Sequence, residues 1–307
     1  MNIATRDAYG KTLVELSKNE RVVVLDADLA KATKTIEFKK VCPERFFDMG
    51  ISEQDMMGTA AGLATCGKIP FASTFAIFAA GRAFEQIRNS IAYPNLNVKI
   101  AATHAGLTVG EDGGSHQAIE DIALMRSIPH MVVLNPADSI ETEQAVLAAT
   151  VYDGPVYIRL GRAALPVFHK SNYHFEIGKG EVLRDGYDVT IIATGIMVTK
   201  ALAAAQCLQL ENISAAVVNI ATIKPLDKEL IVKFAKQTGC IVTAEEHSVI
   251  GGLGAAIAEL LSQEYPTQIA MVGIQDQFGC SGKPEELLKA YHLTVDDIVE
   301  AVKNNIK

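Results

Sequence analysis

Residues 46–74 read FFDMGISEQDMMGTAAGLATCGKIPFAST and predict a strand, a helix and a second strand in immediate succession. Strands are expected at residues 46–50 and 70–74, which are short runs rich in apolar side chains. The helix between them is expected to begin after Ser52, with Ser52 and Asp55 forming a capping box, and to end at Gly67. Repeated along a chain, such β-α-β units build a mainly parallel sheet.

The same alternation continues on both sides of this unit and predicts an α/β protein. Further strands are expected at residues 22–25, 98–103, 131–134, 156–160, 188–195, 214–219, 240–244 and 268–274. Further helices are expected at residues 81–92, 117–127, 138–150, 198–209, 226–236, 253–262, 284–290 and 295–304.

The periodicity fades between about residue 166 and residue 184 and then restarts. We therefore expect two α/β domains, residues 1–165 and residues 186–307, joined by a linker at residues 166–185. The second domain is the smaller one, and both sheets are expected to be mainly parallel.

Composition narrows the class of protein. Hydrophobic residues make up 49% of the 307 positions and charged residues 21%, which favours packed cores over disorder. The net charge of −8, without a cluster of Lys and Arg, argues against nucleic-acid binding. No apolar run approaches about 20 residues and the N-terminus lacks a secretory pattern, so a cytoplasmic protein is expected. The five cysteines form no CxxC pair and are expected to be reduced, mostly buried thiols.

Glu53, at the start of the predicted helix, is the first candidate for chemistry. It follows a strand end, where open α/β sheets bind ligands. One interpretation is ordinary helix capping, favoured by the helix dipole. The functional interpretation places the carboxyl in an apolar pocket, where its pKa would rise and it would share a proton with a heterocycle. Apolar neighbours in the sequence are Met49, Ile51, Met56 and Met57.

Aromatic and basic side chains follow other predicted strands. Phe75 and Phe78 are either core aromatics or a surface on which a flat ring stacks. Arg159 and Arg162 either make surface salt bridges or meet a phosphate bidentately. The segment GGLGAAIAEL at residues 251–260 lacks a complete G-x-G-x-x-G, and we interpret it as close helix packing rather than dinucleotide binding.

Residues 103–117, THAGLTVGEDGGSHQ, place two histidines and two acids in one Gly-rich loop after a strand. These side chains are His104, Glu111, Asp112 and His116. The glycines let the backbone approach a ligand closely. A metal site is the competing interpretation, but the spacings match no standard ligand pattern, so a binding loop for another ligand is favoured.

Four segments together resemble the pyrimidine-binding and C-terminal domains of transketolase. They are DADL (26–29), MGISEQ (49–54), STFAIFAAGR (73–82) and residues 103–117, in the family's order and at similar intervals. The resemblance covers essentially the whole chain. It implies that Glu53 hydrogen-bonds N1′ of the thiamine diphosphate aminopyrimidine and promotes the imino tautomer that takes the thiazolium C2 proton. It also implies that Phe75 and Phe78 pack on the pyrimidine and that Asp28 supports coenzyme and dimer contacts.

The resemblance also implies a set of substrate contacts. His104 and His116 would contact the donor and acceptor sugars and, with the glutamate, form the catalytic set. Asp112 would bind a substrate hydroxyl, and Arg6 and Arg159 would hold the sugar phosphate. The implied reaction is transfer of a two-carbon ketol unit from a ketose phosphate to an aldose phosphate, as in the pentose phosphate pathway.

Two positions depart from the family pattern. A third pocket aromatic, three residues after Phe78 in many members, is Gly81 here, and the serine of the phosphate site is Ala32. The HAGL segment is also similar to deoxyxylulose-phosphate synthases, which carry Arg-Ala-Gly-Leu there. His104 and Glu111 favour transketolase over that relative.

The sequence contains no GDG motif, through which the family holds the diphosphate and Mg²⁺. The resemblance therefore implies an N-terminal partner subunit that carries this motif and the Mg²⁺, in an α2β2 assembly with self-dimerisation. No metal is expected on this chain itself, and activity is expected only with the partner. The alternatives are a 2-oxoacid dehydrogenase β-type subunit, which lacks the paired histidines, and a non-catalytic scaffold that kept the fold.

Overall fold

Two mainly parallel sheets organise the chain, one of seven strands and one of five. They are seen in a computed structural model that describes residues 2–306. The strands are β1 (Asn2–Ala4), β2 (Val22–Asp26), β3 (Phe46–Asp48), β4 (Ile69–Phe75), β5 (Lys99–Thr103), β6 (Val132–Leu134), β7 (Val156–Arg159), β8 (Ala164–Pro166), β9 (Glu181–Arg184), β10 (Val189–Ala193), β11 (Ala215–Asn219), β12 (Thr222–Lys224), β13 (Cys240–Ser248) and β14 (Gln268–Ile274).

Helices connect most of these strands. They are α1 (Thr5–Leu16), α2 (Ala30–Thr33), α3 (Ile36–Val41), α4 (Glu53–Thr65), α5 (Phe84–Gln86), α6 (Asp121–Ser127), α7 (Ser139–Val151), α8 (Met197–Leu210), α9 (Lys228–Thr238), α10 (Leu253–Glu264), α11 (Pro284–Ala290) and α12 (Val295–Asn305). Two π-helical turns, Phe78–Arg82 and Ile87–Ala92, flank α5.

The seven-stranded sheet has the order β12-β6-β7-β5-β4-β2-β3 and is parallel except for β12. Val23 and Leu25 of β2 face the core beneath α4 and α6, whereas Val22 and Val24 face the core beneath α1, α3 and α7. Burial on both faces explains why β2 is an unbroken apolar run without alternation.

The five-stranded sheet has the order β14-β13-β10-β11-β9, with β9 antiparallel at one edge. Helices α8 and α12 pack on one face and α9 and α10 on the other. The predicted fold class, two α/β units with mainly parallel sheets, is confirmed. The β1–β8 ribbon is a separate antiparallel pair.

Strand β12 joins the two sheets. It follows β11 in the chain but pairs with β6 at the edge of the seven-stranded sheet, where Thr222 opposes Leu134. Lys224 donates from Nζ to the carbonyls of Arg126 (2.9 Å) and Ile128 (2.5 Å), which tie the end of α6 to this strand. The division into residues 1–165 and 186–307 stays a prediction.

A histidine fastens the segment between the sheets. His169 Nδ1 lies 3.0 Å from Asp138 Oδ1, and its Nε2 lies 2.7 Å from Glu181 Oε2. Burial lowers the pKa of His169, but its pairing with the two carboxylates outweighs this effect and raises the pKa to about 9. The imidazolium is therefore clamped between α7 and β9.

Several local expectations were wrong. Helix α4 begins where predicted, but Ser52, at φ −145° and ψ 64°, caps it without any side-chain hydrogen bond, so the predicted capping box does not form. The predicted helix at residues 81–92 is largely π-helical and begins earlier, and the one predicted from residue 117 begins at Asp121.

The cysteines also differ from expectation. All five are free thiols, but only Cys42 and Cys240 are buried. Cys66 caps the end of α4, Cys207 lies on the outer face of α8, and Cys280 lies in the loop after β14, which explains their exposure. Among residues 2–306, no helix has the length and apolar character needed to cross a membrane.

Candidate functional site

The predicted site residues gather where neighbouring parallel strands end. Asp28 follows β2, Glu53 follows β3, Phe75 ends β4, and His104 follows β5. These four strands are adjacent and parallel, so their carboxyl ends share one edge of the sheet. This edge is where open α/β sheets bind ligands.

Glu53 is the buried acid of this edge, with 5% of its surface exposed. Its Oε1 lies 3.1 Å from Nη1 of Arg82, whose side chain is half exposed. Met56 and Met57 are buried on the same helix, but Ile51 is 75% exposed and forms no wall around the acid. The carboxyl group therefore sits at the rim of the core and opens toward Arg82.

Aromatic rings lie between Arg82, whose guanidinium carbon is 4.0 Å from the centroid of the Phe78 ring, and the Gly-rich loop. The rings of Phe75 and Phe78 are nearly parallel, with centroids 5.8 Å apart. The imidazole of His104 stacks on Phe75 at 3.8 Å, and His116 meets Phe78 edge-on at 5.4 Å. The four rings form one aromatic cluster, in which the structure brings two predicted aromatics and two predicted histidines together.

Arg6 fixes the protonation state of His104. Its Nη1 lies 2.9 Å from Nε2 of His104, and an arginine has only donors, so Nε2 is the acceptor. The hydrogen is then on Nδ1, which donates to Thr103 Oγ1 at 2.9 Å. Burial, reinforced by the positive charges of Arg6 and Arg162, lowers the pKa of His104 to about 3. This histidine is a neutral imidazole at every physiological pH.

The second sheet holds the Gly-rich loop in place. Glu246 of β13 accepts a hydrogen bond from the N–H of Thr108 at 2.6 Å, and Gln117 donates to the carbonyl of Cys280 at 2.9 Å. Gly106 has φ +80°, and a Cβ there would lie 2.3 Å from Cδ of Glu246. Sequence analysis missed Glu246, and the only signal for it was the glycine it requires.

The two arginines after β7 have different surroundings. Arg159 is buried, and its Nε bonds the carboxylate of Asp121 at 2.8 Å while Nη2 donates to the carbonyls of residues 118 and 246. Because Arg159 is paired with Asp121, it is not a free cation beside the aromatic cluster. Arg162 is more exposed, and its Nη1 lies 3.6 Å from Glu111 and 3.9 Å from Asp112.

The remaining predicted residues lie at the rim. Asp28 is exposed at φ +61°, and its N–H donates to Asp48 Oδ1 at 3.1 Å. Arg6 also donates to the carbonyl of Ala32 at 3.1 Å. Ala32 stands where the resemblance implies a serine, and its backbone still contacts the arginine. In residues 2–306, no group of three or more His, Cys, Asp or Glu side chains is arranged to hold a metal ion.

Comparisons with known proteins agree with this architecture. The model of the transketolase pyrimidine-binding domain matches residues 1–167, and that of the transketolase C-terminal domain matches residues 178–298. A putative transketolase C-terminal section of Methanocaldococcus jannaschii is 52% identical over 306 residues, covering 98% of this chain and 96% of that protein. A 6-deoxy-6-sulfo-D-fructose transketolase subunit of a Clostridium species is 44% identical, covering 96% and 92%.

A solved structure described as a split gene transketolase, inactive beta4 tetramer, is also similar. It is 59% identical and superposes with a TM-score of 0.91, covering 99% of this chain and 98% of that one. The chain therefore belongs to the transketolase family, within which it comprises the pyrimidine-binding and C-terminal domains.

Proposed function

We propose that this chain is the subunit of a two-chain transketolase that holds the pyrimidine end of thiamine diphosphate. Joined to an N-terminal subunit, it would transfer a two-carbon ketol unit from a ketose phosphate to an aldose phosphate. The observation that carries the proposal is the buried Glu53 at the carboxyl edge of the sheet, which Arg82 connects to the Phe75–Phe78 ring pair.

These residues fit an aminopyrimidine ring. A buried carboxyl group can share a proton with a ring nitrogen, and two nearly parallel phenyl rings offer apolar faces to a flat heterocycle. When bound, the coenzyme supplies the carbanion stabilisation that ketol transfer needs. Glu53 holds the proton at N1′, and Phe75 and Phe78 orient the ring. Asp28, at the exposed rim, supports the coenzyme and the contact between subunits.

The proposed sugar contacts lie on the other side of the aromatic cluster. His104, as a neutral imidazole, positions a sugar hydroxyl and does not act as an acid. His116 and Asp112, on the same loop, contact the acceptor sugar. We transfer the phosphate contact predicted for Arg159 to Arg162, because Arg159 is committed to Asp121.

Arg6 and Arg162 would receive the terminal anion of the sugar. They are close enough that each lowers the pKa of His104. Burial lowers the pKa of Arg6, against the charge of Asp7 and with a contribution from Arg162. Arg162 contacts Glu111 and Asp112 only at 3.6 and 3.9 Å, which is longer than a hydrogen bond, so its guanidinium can still donate to a bound anion beside Arg6. We propose phosphate as this anion, and the Clostridium relative is named for a sugar with a sulfonate at the same end.

The partner would carry the GDG motif and Mg²⁺, in an α2β2 assembly with the active site between chains. Two relatives support a divided enzyme, since one is described as a C-terminal section and another as an inactive tetramer of beta subunits. The diphosphate and its metal would then be bound by the other polypeptide, and the chain alone would be inactive.

Co-expression tests this proposal. The chain and the product of a neighbouring gene that encodes GDG would be purified together and assayed for ketol transfer with thiamine diphosphate and Mg²⁺. Activity is expected from the complex and from neither subunit alone. Turnover by this chain alone would contradict the divided site. A complex that neither binds thiamine diphosphate nor transfers ketol units would favour the non-catalytic scaffold.

A further inference from the structure

The side chain of Arg82 contacts the two groups that we assign to binding of the coenzyme ring, Glu53 and Phe78. We propose that Arg82 is a displaceable counter-ion, which closes the pyrimidine seat of the unloaded chain and must leave Glu53 before the ring binds. The seat is defined here as the carboxyl group of Glu53 and the ring of Phe78. This inference rests on the proposed function and adds to it a residue that controls access to the seat.

One side chain contacts both parts of the seat. Nη1 of Arg82 lies 3.1 Å from Oε1 of Glu53, and its guanidinium carbon lies 4.0 Å from the centroid of the Phe78 ring. A pyrimidine that hydrogen-bonds the same carboxyl and packs on the same ring needs the volume that the guanidinium fills. Arginine and coenzyme therefore compete for one place.

The competition also concerns charge. A buried carboxylate without a partner is costly, so a chain without coenzyme gains from a nearby cation. With coenzyme, the same carboxyl group has to share a hydrogen bond with N1′, and a guanidinium 3.1 Å from Oε1 occupies the place of that bond. The pair with Arg82 thus stabilises the coenzyme-free chain and competes with coenzyme binding.

The surroundings of Arg82 allow its side chain to move while its backbone stays. Its carbonyl accepts a hydrogen bond from Gln54 Nε2 at 3.0 Å, which anchors the end of the π-helical turn to α4. The side chain of Arg82 is half exposed, so its guanidinium can turn away from Glu53 into solvent. Since the arginine is half exposed, the Arg82–Glu53 pair is expected to change the equilibrium of coenzyme binding by at most about five-fold.

Coenzyme binding measures the competition directly. The complex with the N-terminal partner would be titrated with thiamine diphosphate by calorimetry, as wild type, Arg82→Ala and Arg82→Gln. The matched control is Arg88→Ala. Arg88 lies in the next π-helical turn, is exposed, and donates a side-chain hydrogen bond to its neighbour Asn89. We expect Kd to fall about two- to five-fold in both Arg82 variants and to stay at the wild-type value in the control.

Three results would overturn the inference. They are an unchanged or weaker Kd in both Arg82 variants, an equal change in the Arg88 control, and a crystal structure of the loaded complex in which Arg82 still bonds Glu53. Glu53→Ala separates this inference from the proposed function. If that variant keeps the wild-type Kd, the proposed function itself fails; if it weakens binding while the Arg82 variants do not tighten it, only the role of Arg82 fails.

Discussion

Nη1 of Arg6 donates to Nε2 of His104 across 2.9 Å, so the imidazole is locked as the Nδ1–H tautomer. The two residues lie 98 positions apart in the chain, at the start of α1 and after β5. Adding a proton to His104 would break this bond and place two cations in contact.

The first prediction concerns this histidine. We expect the ring of His104 to show no titration between pH 5 and pH 8, because burial and two arginines lower its pKa to about 3. NMR of the histidine rings, assigned with a His104→Asn variant, measures this. A midpoint near pH 6 for His104 would contradict this assignment of the neutral tautomer.

The second prediction concerns Glu53. In the assembled complex, Glu53→Ala is expected to lower kcat about 10²- to 10⁴-fold, since the proton at the coenzyme ring loses its partner. Assembly, followed by size-exclusion chromatography, should not change. Asp55→Ala is the matched control, because Asp55 lies in the same first turn of α4 but is exposed. Full activity in the Glu53 variant would remove this residue from its assigned role.

The third prediction separates the two arginines after β7. Arg162→Ala is expected to raise KM for a phosphorylated sugar about ten-fold or more, with little loss of stability, because one charge-assisted contact to the phosphate is removed. Arg159→Ala is expected to lower the unfolding free energy by about 3–5 kcal/mol, since it leaves the buried carboxylate of Asp121 unpaired. Denaturant titrations and steady-state kinetics distinguish the outcomes. A stable Arg159→Ala protein with a raised KM would restore the original assignment.

The contrast between these arginines shows what sequence can predict here. Strands and helices followed from apolar periodicity, as in β14 and α11, whose predicted and observed bounds agree. Which of two nearby arginines is buried depended on Asp121, 38 residues away in the sequence, and no local pattern reveals that pairing.

Other features were beyond sequence reasoning for similar reasons. The π-helical form of residues 78–82 differs from an α-helix by one hydrogen-bond register, which residue propensities do not encode. The support that Glu246 gives to the Gly-rich loop comes from the second sheet, and only the packing of the two sheets creates it. By contrast, the convergence of Glu53, Phe75 and His104 could be predicted, since each lies at or just beyond the carboxyl end of a parallel strand.

The fourth prediction uses pH to test the clamp at His169. The folded-state pKa of about 9 exceeds the ordinary value of 6.5, so the clamp stabilises the fold fully below about pH 6.5 and is lost as pH rises through 9. His169→Gln should therefore lower the unfolding free energy by about 2 kcal/mol at pH 6, and this gap should shrink toward pH 10. Urea titrations at both pH values measure it, with His174→Gln as an exposed control from the same segment. A gap that grows with pH would contradict the clamp.

The fifth prediction concerns Gly106, where Glu246 approaches the Gly-rich loop. Gly106 and Gly67 both have φ +80°, but only at Gly106 would a Cβ collide, 2.3 Å from Cδ of Glu246. An alanine at Gly67 carries the cost of a positive φ, about 1 kcal/mol, whereas Gly106 also has ψ −172°, a region that is almost restricted to glycine and costs about 1–3 kcal/mol. Gly106→Ala should cost about 1–3 kcal/mol more and should also raise KM for the sugar, because the loop carries His104 and His116. Equal effects of the two variants on stability and KM would show that Glu246 does not shape the loop.

The short strand β12 has a consequence for any attempt to shorten the protein. Its three residues cover the edge of β6, although they lie beyond residue 220 in the chain. A fragment that stops at residue 167 would keep every predicted contact to the coenzyme ring, yet it would expose the backbone donors and acceptors of β6 to solvent. Bare edges of this kind recruit strands from neighbouring molecules. Such a fragment is expected to aggregate on purification, and a minimal version of this subunit has to retain residues 222–224.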